Sequence, residues 1–239
     1  MTSETGRSSL HAGRRAFLLV AALTFGACSG RALPPPPPAP ARASEAPAWR
    51  TVTVADIAAT LPKGPVAVGF DVDDTALFTS PGYFYLERNA DGPGGTNRYG
   101  EHPLDNPEAI ADLNREYDKF ALPKRATAEL IALHQRRGDD IWFISARPVP
   151  PTEIVTGLLQ RYYGIQRMHP VIFLDGSPKG PKIRELDLAV YYGDGDRDMT
   201  AAISAGARPI RFLRSAMSTD PRPVHPGAYG EDVLEGSDE

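Results

Sequence analysis

Apolar residues in this chain gather in short continuous runs, and most of those runs end on a polar cluster. Residues 65–70, 140–144, 170–174, 188–192 and 209–213 are apolar along nearly their whole length. Such runs predict parallel strands covered on both faces, because a strand with one wet face would alternate instead. Helical spacing fills the intervals. Ile110, Leu113 and Tyr117 predict a helix over 106–120, and Ala126, Leu130, Ile131 and His134 predict another over 123–137, ended by Gly138. Further helices are expected at 151–163, stopped by Gly164, at 181–186 and at 199–205. Strands that alternate with helices predict an α/β fold with a doubly wound parallel sheet.

The polar clusters follow the first, second and fourth of these strands. They read Asp71-Val72-Asp73-Asp74-Thr75, Ser145-Ala146-Arg147 and Gly193-Asp194-Gly195-Asp196-Arg197-Asp198. In open α/β sheets, ligands bind at the carboxyl ends of strands, so the three clusters are expected to meet in one site. Asp71 and Asp73 stand at i and i+2, where extended backbone places side chains on one face. The competing reading is an ordinary turn, since Asp and Thr are common where strands end. Residues 80–105 break the apolar rhythm. They are rich in Gly, Pro, Asn and charge, with aromatics at Tyr83, Phe84, Tyr85 and Tyr99, and read as a long irregular insertion.

Composition narrows the picture. The chain has 239 residues, is 41% hydrophobic and carries a net charge of −4. That is enough apolar material for a packed core, and the absence of a basic block after the leader argues against nucleic acid as a partner. Of the 24 prolines, a polyproline run at 34–38 makes residues 29–48 a stiff linker rather than core. Residues 1–28 read as an export signal. Arg14-Arg15 precede an apolar run too short to span a bilayer and resemble a Tat leader, and Phe25-Gly26-Ala27-Cys28 resembles a lipobox. The lone cysteine, Cys28, has no disulfide partner, so lipidation there is expected. The globular domain is placed at 49–239, in the periplasm or cell envelope.

Asp71, Asp73, Asp194 and Asp198 would bring like charges together in a cleft, and a divalent cation relieves that repulsion. Oxygen donors without His or Cys point to Mg²⁺, which bridges readily to phosphate. Opposite the metal, the Ser145 hydroxyl, the Ala146 amide and either Lys179 or Lys182 could receive a phosphoryl group.

These residues resemble the haloacid dehalogenase superfamily and, within it, the class B acid phosphatases of the bacterial periplasm. Residues 70–82, from Phe70-Asp71-Val72-Asp73 to Ser80-Pro81-Gly82, are similar to the family's first motif. Tyr192-Gly193-Asp194-Gly195-Asp196-Arg197-Asp198 is similar to its fourth, and Gly206-Ala207-Arg208 and Gly227-Ala228-Tyr229-Gly230-Glu231 extend the likeness over about residues 52–235. One departure is Ser145-Ala146-Arg147 where the family more often has Thr-Gly-Arg; the hydroxyl is kept, but the Ala146 Cβ narrows the backbone approach.

The resemblance implies an Mg²⁺-dependent acid phosphatase acting on phosphate monoesters such as nucleotide or aryl phosphates. Asp71 would be the nucleophile and Asp73 the acid/base. Asp71, the Asp73 main-chain carbonyl and Asp194 would hold the metal, with Asp198 behind it or orienting the lysine. Ser145, Ala146, Arg147 and the lysine would bind the phosphoryl group. The insertion at about 79–120 would be a small cap, with Tyr83 lining the leaving-group pocket. A homotetramer is also implied. A phosphotransferase acting on alcohol acceptors and a non-catalytic envelope binding protein are the alternatives.

Overall fold

The computed structural model describes residues 49–89 and 92–239; the expected leader, Cys28 and the Pro-rich linker lie outside the described residues. In chain order the elements are β1 (Thr51–Val52), α1 (Val54–Thr60), β2 (Ala67–Phe70), β3 (Leu77–Phe78), α2 (Ser80–Arg88) and α3 (Pro107–Arg115). There follow β4 (Leu122–Pro123), α4 (Arg125–Arg137), β5 (Asp140–Ser145), α5 (Val155–Tyr163) and β6 (Ile172–Phe173). The domain closes with α6 (Gly180–Glu185), β7 (Leu188–Gly193), α7 (Asp196–Ala205), β8 (Arg208–Arg211) and β9 (Asp232–Leu234).

Seven strands form one parallel sheet in the order β1-β9-β8-β7-β2-β5-β6. The apolar runs form it because both faces are covered. Val68, Phe70, Phe143 and Tyr192 pack with Ile57 of α1, Leu130 and Ile131 of α4 and Leu159 of α5. On the other face Leu188 and Tyr191 pack with Ile183 of α6 and Ala202 of α7. The central strand is tightly enclosed: a Cβ at Gly69 would lie 2.5 Å from Leu188 and 2.8 Å from Tyr191. The chain runs from β2 outward to β5 and β6, then returns to β7 on the other side of β2. The strand order therefore reverses at β2, and such a reversal opens a crevice at the strands' carboxyl ends.

The doubly wound parallel sheet is as expected, but two of its strands were not. β1 and β9 have two and three residues and form the edge beyond β8; apolar signal is weak at that length. Residues 80–88, expected to be irregular, form helix α2 with Pro81 in its first turn. Its polar, aromatic-rich surface hides the periodicity. Gly82 is required by tertiary contact, since a Cβ there would meet Leu113 at 2.9 Å and the Tyr117 carbonyl at 3.0 Å. The helix expected over 106–120 is instead α3 followed by a separate 3₁₀ turn, Tyr117–Phe120.

Residues 79–121 leave the sheet through β3 and return through β4, which pair antiparallel as Leu77 with Pro123 and Phe78 with Leu122. This excursion has its own small cluster of Leu86, Tyr99, Ala109, Leu113 and Tyr117. Inside it, the buried Asp112 carboxylate accepts from Arg98, Arg115 and the Tyr99 hydroxyl.

Candidate active site

Asp71 follows the last residue of β2, and its amide donates to the Tyr192 carbonyl at 2.8 Å, so the ladder with β7 continues to the site itself. Beyond it the chain turns sharply, with Asp74 at φ 55°. Three consecutive carbonyls of that turn receive donors from α4, its N-cap and α5. Lys124 Nζ reaches the Asp74 carbonyl at 3.1 Å, Thr127 Oγ1 reaches that of Thr75 at 2.7 Å, and the Tyr163 hydroxyl donates to that of Ala76. The same buried ammonium donates to the Leu213 carbonyl at 3.1 Å, tying the turn to the segment after β8. The acidic loop is thus held from below by buried groups.

Asp71, Asp194 and Asp198 are all buried, and one carboxylate oxygen from each lies within 4.8 Å of the others. Lys179, the residue before α6, enters this group. Its Nζ donates to Asp71 Oδ1 and, at 2.7 Å, to Asp198 Oδ1. Asp198 is anchored from behind, where its Oδ2 accepts from the Gly195 amide at 3.0 Å. Gly193 makes room for that anchor: a Cβ there would lie 2.4 Å from the Asp198 Cβ. Asp194 accepts from Arg214 Nε and, at a weak 3.4 Å, from the Thr75 hydroxyl.

Asp73 belongs to a second group. Its carboxylate accepts from Thr79 Oγ1 at 2.7 Å, from Arg147 Nη2 at 2.6 Å and from Arg147 Nε at 3.0 Å. Arg147 Nη1 donates to Asp118 Oδ2 at 2.6 Å and to Asn114 Oδ1 at 2.8 Å, so one guanidinium joins the strand-end loop to the 79–121 excursion. Tyr83 lies over it, with the guanidinium carbon 5.5 Å from the ring centre.

The electrostatics separate the two leading carboxylates. Burial pushes Asp71 well above the usual carboxylate range; Lys179 opposes this, and Asp198, Asp194 and Asp73 add to it. Burial and Asp198 likewise raise Asp194, against the pull of Arg214. Burial works to raise Asp73 too, but the charge and hydrogen bonds of Arg147, with the Thr79 hydroxyl, hold it below its ordinary value. Burial disfavours the Lys179 ammonium, yet Asp198 and Asp71 more than offset it and raise its basicity well above the usual value. Buried carboxylates with raised proton affinity suit a divalent cation, and an all-oxygen donor set suits a hard one. Asp71 and Asp194 fit a metal on both grounds, and Asp198 adds a third buried carboxylate oxygen within reach.

The expected site residues divide accordingly. Asp71, Asp73, Ala146, Arg147, Lys179, Asp194, Asp198 and Tyr83 line one cleft of about 960 Å³. Ser145 does not line it: the side chain is fully buried at the end of β5, and its hydroxyl accepts from the Arg147 amide at 3.2 Å. Lys182 also lies outside that lining and pairs with Glu185 at 2.6 Å. Asp73 offers its carboxylate to Arg147 rather than to the cluster of three. Two participants went unread in the sequence. Arg214 follows the apolar run ending at 213 and carried the same strand-end signal as the acidic clusters. Asp118 sits in a 3₁₀ turn and had no such signal.

No family model matches the chain. It is 42% identical over 185 residues to the class B acid phosphatase of Klebsiella pneumoniae (strain 342), covering 74% of this chain and 75% of that relative. The class B acid phosphatase of Haemophilus parainfluenzae (strain T3T1) is 41% identical over 179 residues, covering 72% of this chain and 73% of that one. Among solved structures, a HAD-superfamily hydrolase, subfamily IA, from Geobacter sulfurreducens aligns at a TM-score of 0.45 and 14% identity, over 75% of this chain and 96% of that one. At this identity and coverage by its curated relatives, the chain belongs to the class B acid phosphatases.

Proposed function

We propose that this phosphomonoesterase is an exported, Mg²⁺-dependent enzyme that hydrolyses nucleotide or aryl phosphates through an aspartyl-phosphate on Asp71. The carrying observation is Lys179, which bridges Asp71 and Asp198 beside Asp194 while Asp73 stands separately on Arg147. One carboxylate is thereby aimed at phosphorus and the other left to handle protons.

In this reading an Asp71 carboxylate oxygen attacks phosphorus as the bond from phosphorus to the ester oxygen breaks. Asp73 gives its proton to the departing alkoxide, with Arg147 and Thr79 fixing the direction in which its carboxyl points. In the second half Asp73 takes a proton from water, the water oxygen attacks phosphorus, and the bond to Asp71 breaks. Lys179 and the Ala146 amide stabilise charge on the equatorial oxygens. Asp71, Asp194 and the Asp73 carbonyl would hold Mg²⁺, with Asp198 fixing Lys179. The bound cation would screen the carboxylates from the incoming phosphate. Tyr83, Leu104 and Ile110 border the cleft from the 79–121 side, which supports its assignment as a cap that receives the leaving group. Export through residues 1–28, lipidation at Cys28, the 29–48 tether and a homotetramer belong to the same proposal and rest on sequence and resemblance.

The test is hydrolysis of 4-nitrophenyl phosphate by metal-depleted protein with and without added Mg²⁺, wild type against Asp71→Asn. Equal rates for the two proteins would remove the aspartyl-phosphate step. Full activity without a divalent cation would remove the metal.

A further inference from the structure

Of the cationic side chains that line the cleft, Arg147, Lys179 and Arg214 are engaged by the carboxylates already described. Arg197 and Arg222 are not accounted for. Arg197 is the second residue of α7, is exposed, and its guanidinium has no hydrogen bond or ion pair among the described residues. Arg222 arrives from a different element, the segment that follows β8.

That segment is held in place. From the candidate metal carboxylate outward, charges alternate along Asp194, Arg214, Asp220 and Arg222. Arg214 donates to Asp194 and lies 2.9 Å from Asp220 Oδ2. Asp220 accepts from Arg222 Nη2 at 2.5 Å and from its Nε at 2.9 Å. Arg214 Nη1 also donates to the Arg222 carbonyl at 2.6 Å, and the Thr219 amide donates to Ser80 Oγ at 2.9 Å. Arg222 is therefore oriented by a chain of ion pairs that begins in the reaction centre. Its Nη1 has no partner among the described residues. A guanidinium held this way has already given up much of its rotamer freedom, so the cost of ordering it around a ligand is reduced.

Size and lining agree with a ligand larger than a phosphoryl group. The cleft, at about 960 Å³, lies in the range that accommodates whole small-molecule ligands. Tyr83, Leu104 and Ile110 of the 79–121 excursion give the lining an apolar part, and Arg197, Thr200 and Ser204 of α7 give it a polar one. The acidic side chains nearest these arginines are already committed: Asp220 as above, and Asp196 to His225 at 2.7 Å and Arg211 at 3.0 Å.

We infer that Arg197 and Arg222 form a subsite for a second anionic group, phosphate or carboxylate, on the ester whose phosphoryl group meets Asp71. This rests on the phosphatase reading and refines its substrate class to phosphomonoesters with a second negative group. Guanidinium donors pair with either anion through charge-assisted hydrogen bonds.

The test compares kcat/KM for alkyl monophosphates with two matched series of three to six carbons: alkanediol bisphosphates and ω-phosphooxy carboxylates. The length series varies the separation of the two anionic groups, and the two arms tell phosphate from carboxylate. At the best length, the wild type is expected to prefer a doubly anionic ester by at least about tenfold, mainly through KM. Arg197→Gln and Arg222→Gln should each erode that preference and together remove it, with alkyl monophosphate turnover held within about twofold. Arg197→Gln removes no side-chain hydrogen bond or ion pair among the described residues, and so guards the test against loss of folding. Absence of preference at every length in both series, or a preference that survives the double variant, would overturn the subsite alone. Absence of hydrolysis of every ester would overturn the phosphatase reading and the subsite with it.

Discussion

Arg147 donates to both oxygens of Asp73, at 2.6 and 3.0 Å, across a separation of 74 residues, and with its remaining nitrogen, Nη1, grips Asp118 and Asn114. The side chain that fixes the candidate acid/base is thus the one that fastens the 79–121 excursion to the sheet. Positioning of the proton donor and seating of the excursion share one guanidinium.

Removing that guanidinium should be costly in stability as well as rate. Arg147→Met leaves the fully buried Asp118 without its counter-charge, and the expected loss is about 3–5 kcal/mol. Urea unfolding would measure it. Adding Asp118→Asn to Arg147→Met should recover a large part of that loss but not the activity. Recovery of neither would show that the pair is not the source.

Lys179 and Lys182 should separate cleanly. Lys179 is buried against Asp71 and Asp198, so Lys179→Met is expected to lower kcat by about 10²–10³-fold. Lys182 pairs only with Glu185 in the described structure, and Lys182→Met should leave kcat/KM within about twofold. Steady-state kinetics on an aryl phosphate reads both; comparable losses would refute the assignment.

Metal binding should appear without turnover. A cation bound only by the folded chain raises stability, by about 2.7 kcal/mol at a hundredfold excess over Kd. Mg²⁺ added to metal-depleted protein should therefore raise the melting temperature, and Asp194→Asn should abolish the rise. A shift that persists in Asp194→Asn would place the cation elsewhere.

His134 gives the fold a pH limit. It is fully buried, with Nδ1 2.7 Å from Asp139 and Nε2 2.9 Å from the Tyr192 hydroxyl. Burial lowers its proton affinity below the ordinary 6.5, although Asp139 opposes this. The unfolded chain then takes up a proton on His134 at a higher pH than the folded chain does. Stability is full above about 6.5 and falls as pH drops below it, by up to about 1.4 kcal/mol per pH unit from this group. Urea titrations at pH 7.5 and 5.5, wild type against His134→Gln, would measure the difference. An equal fall in both proteins would acquit His134.

Much of the fold was written in local pattern. The apolar runs at 65–70, 140–144 and 188–192 became β2, β5 and β7 because continuous hydrophobicity leaves a strand only a doubly covered place in a sheet. What escaped was too short or too mixed to carry a period. β1 and β9 have two and three residues, and α2 shows water and a small aromatic cluster a nearly even mixture of polar and aromatic groups.

The site divides along the same line. Local pattern alone marks which residues could be reactive, since strand-end carboxylates at Asp71, Asp73, Asp194 and Asp198 follow from apolar runs and short spacing. It could not choose between Lys179 and Lys182, predict that the Ser145 hydroxyl lies outside the cleft lining, or pair Asp73 with Arg147 and Asp118. Those are contacts between residues far apart in the chain, set by how α6 docks on α7 and how the 79–121 excursion folds back on β5. Spacing along a chain dictates which side chains share a face; only packing of the finished elements dictates which charge lies within hydrogen-bonding reach of which.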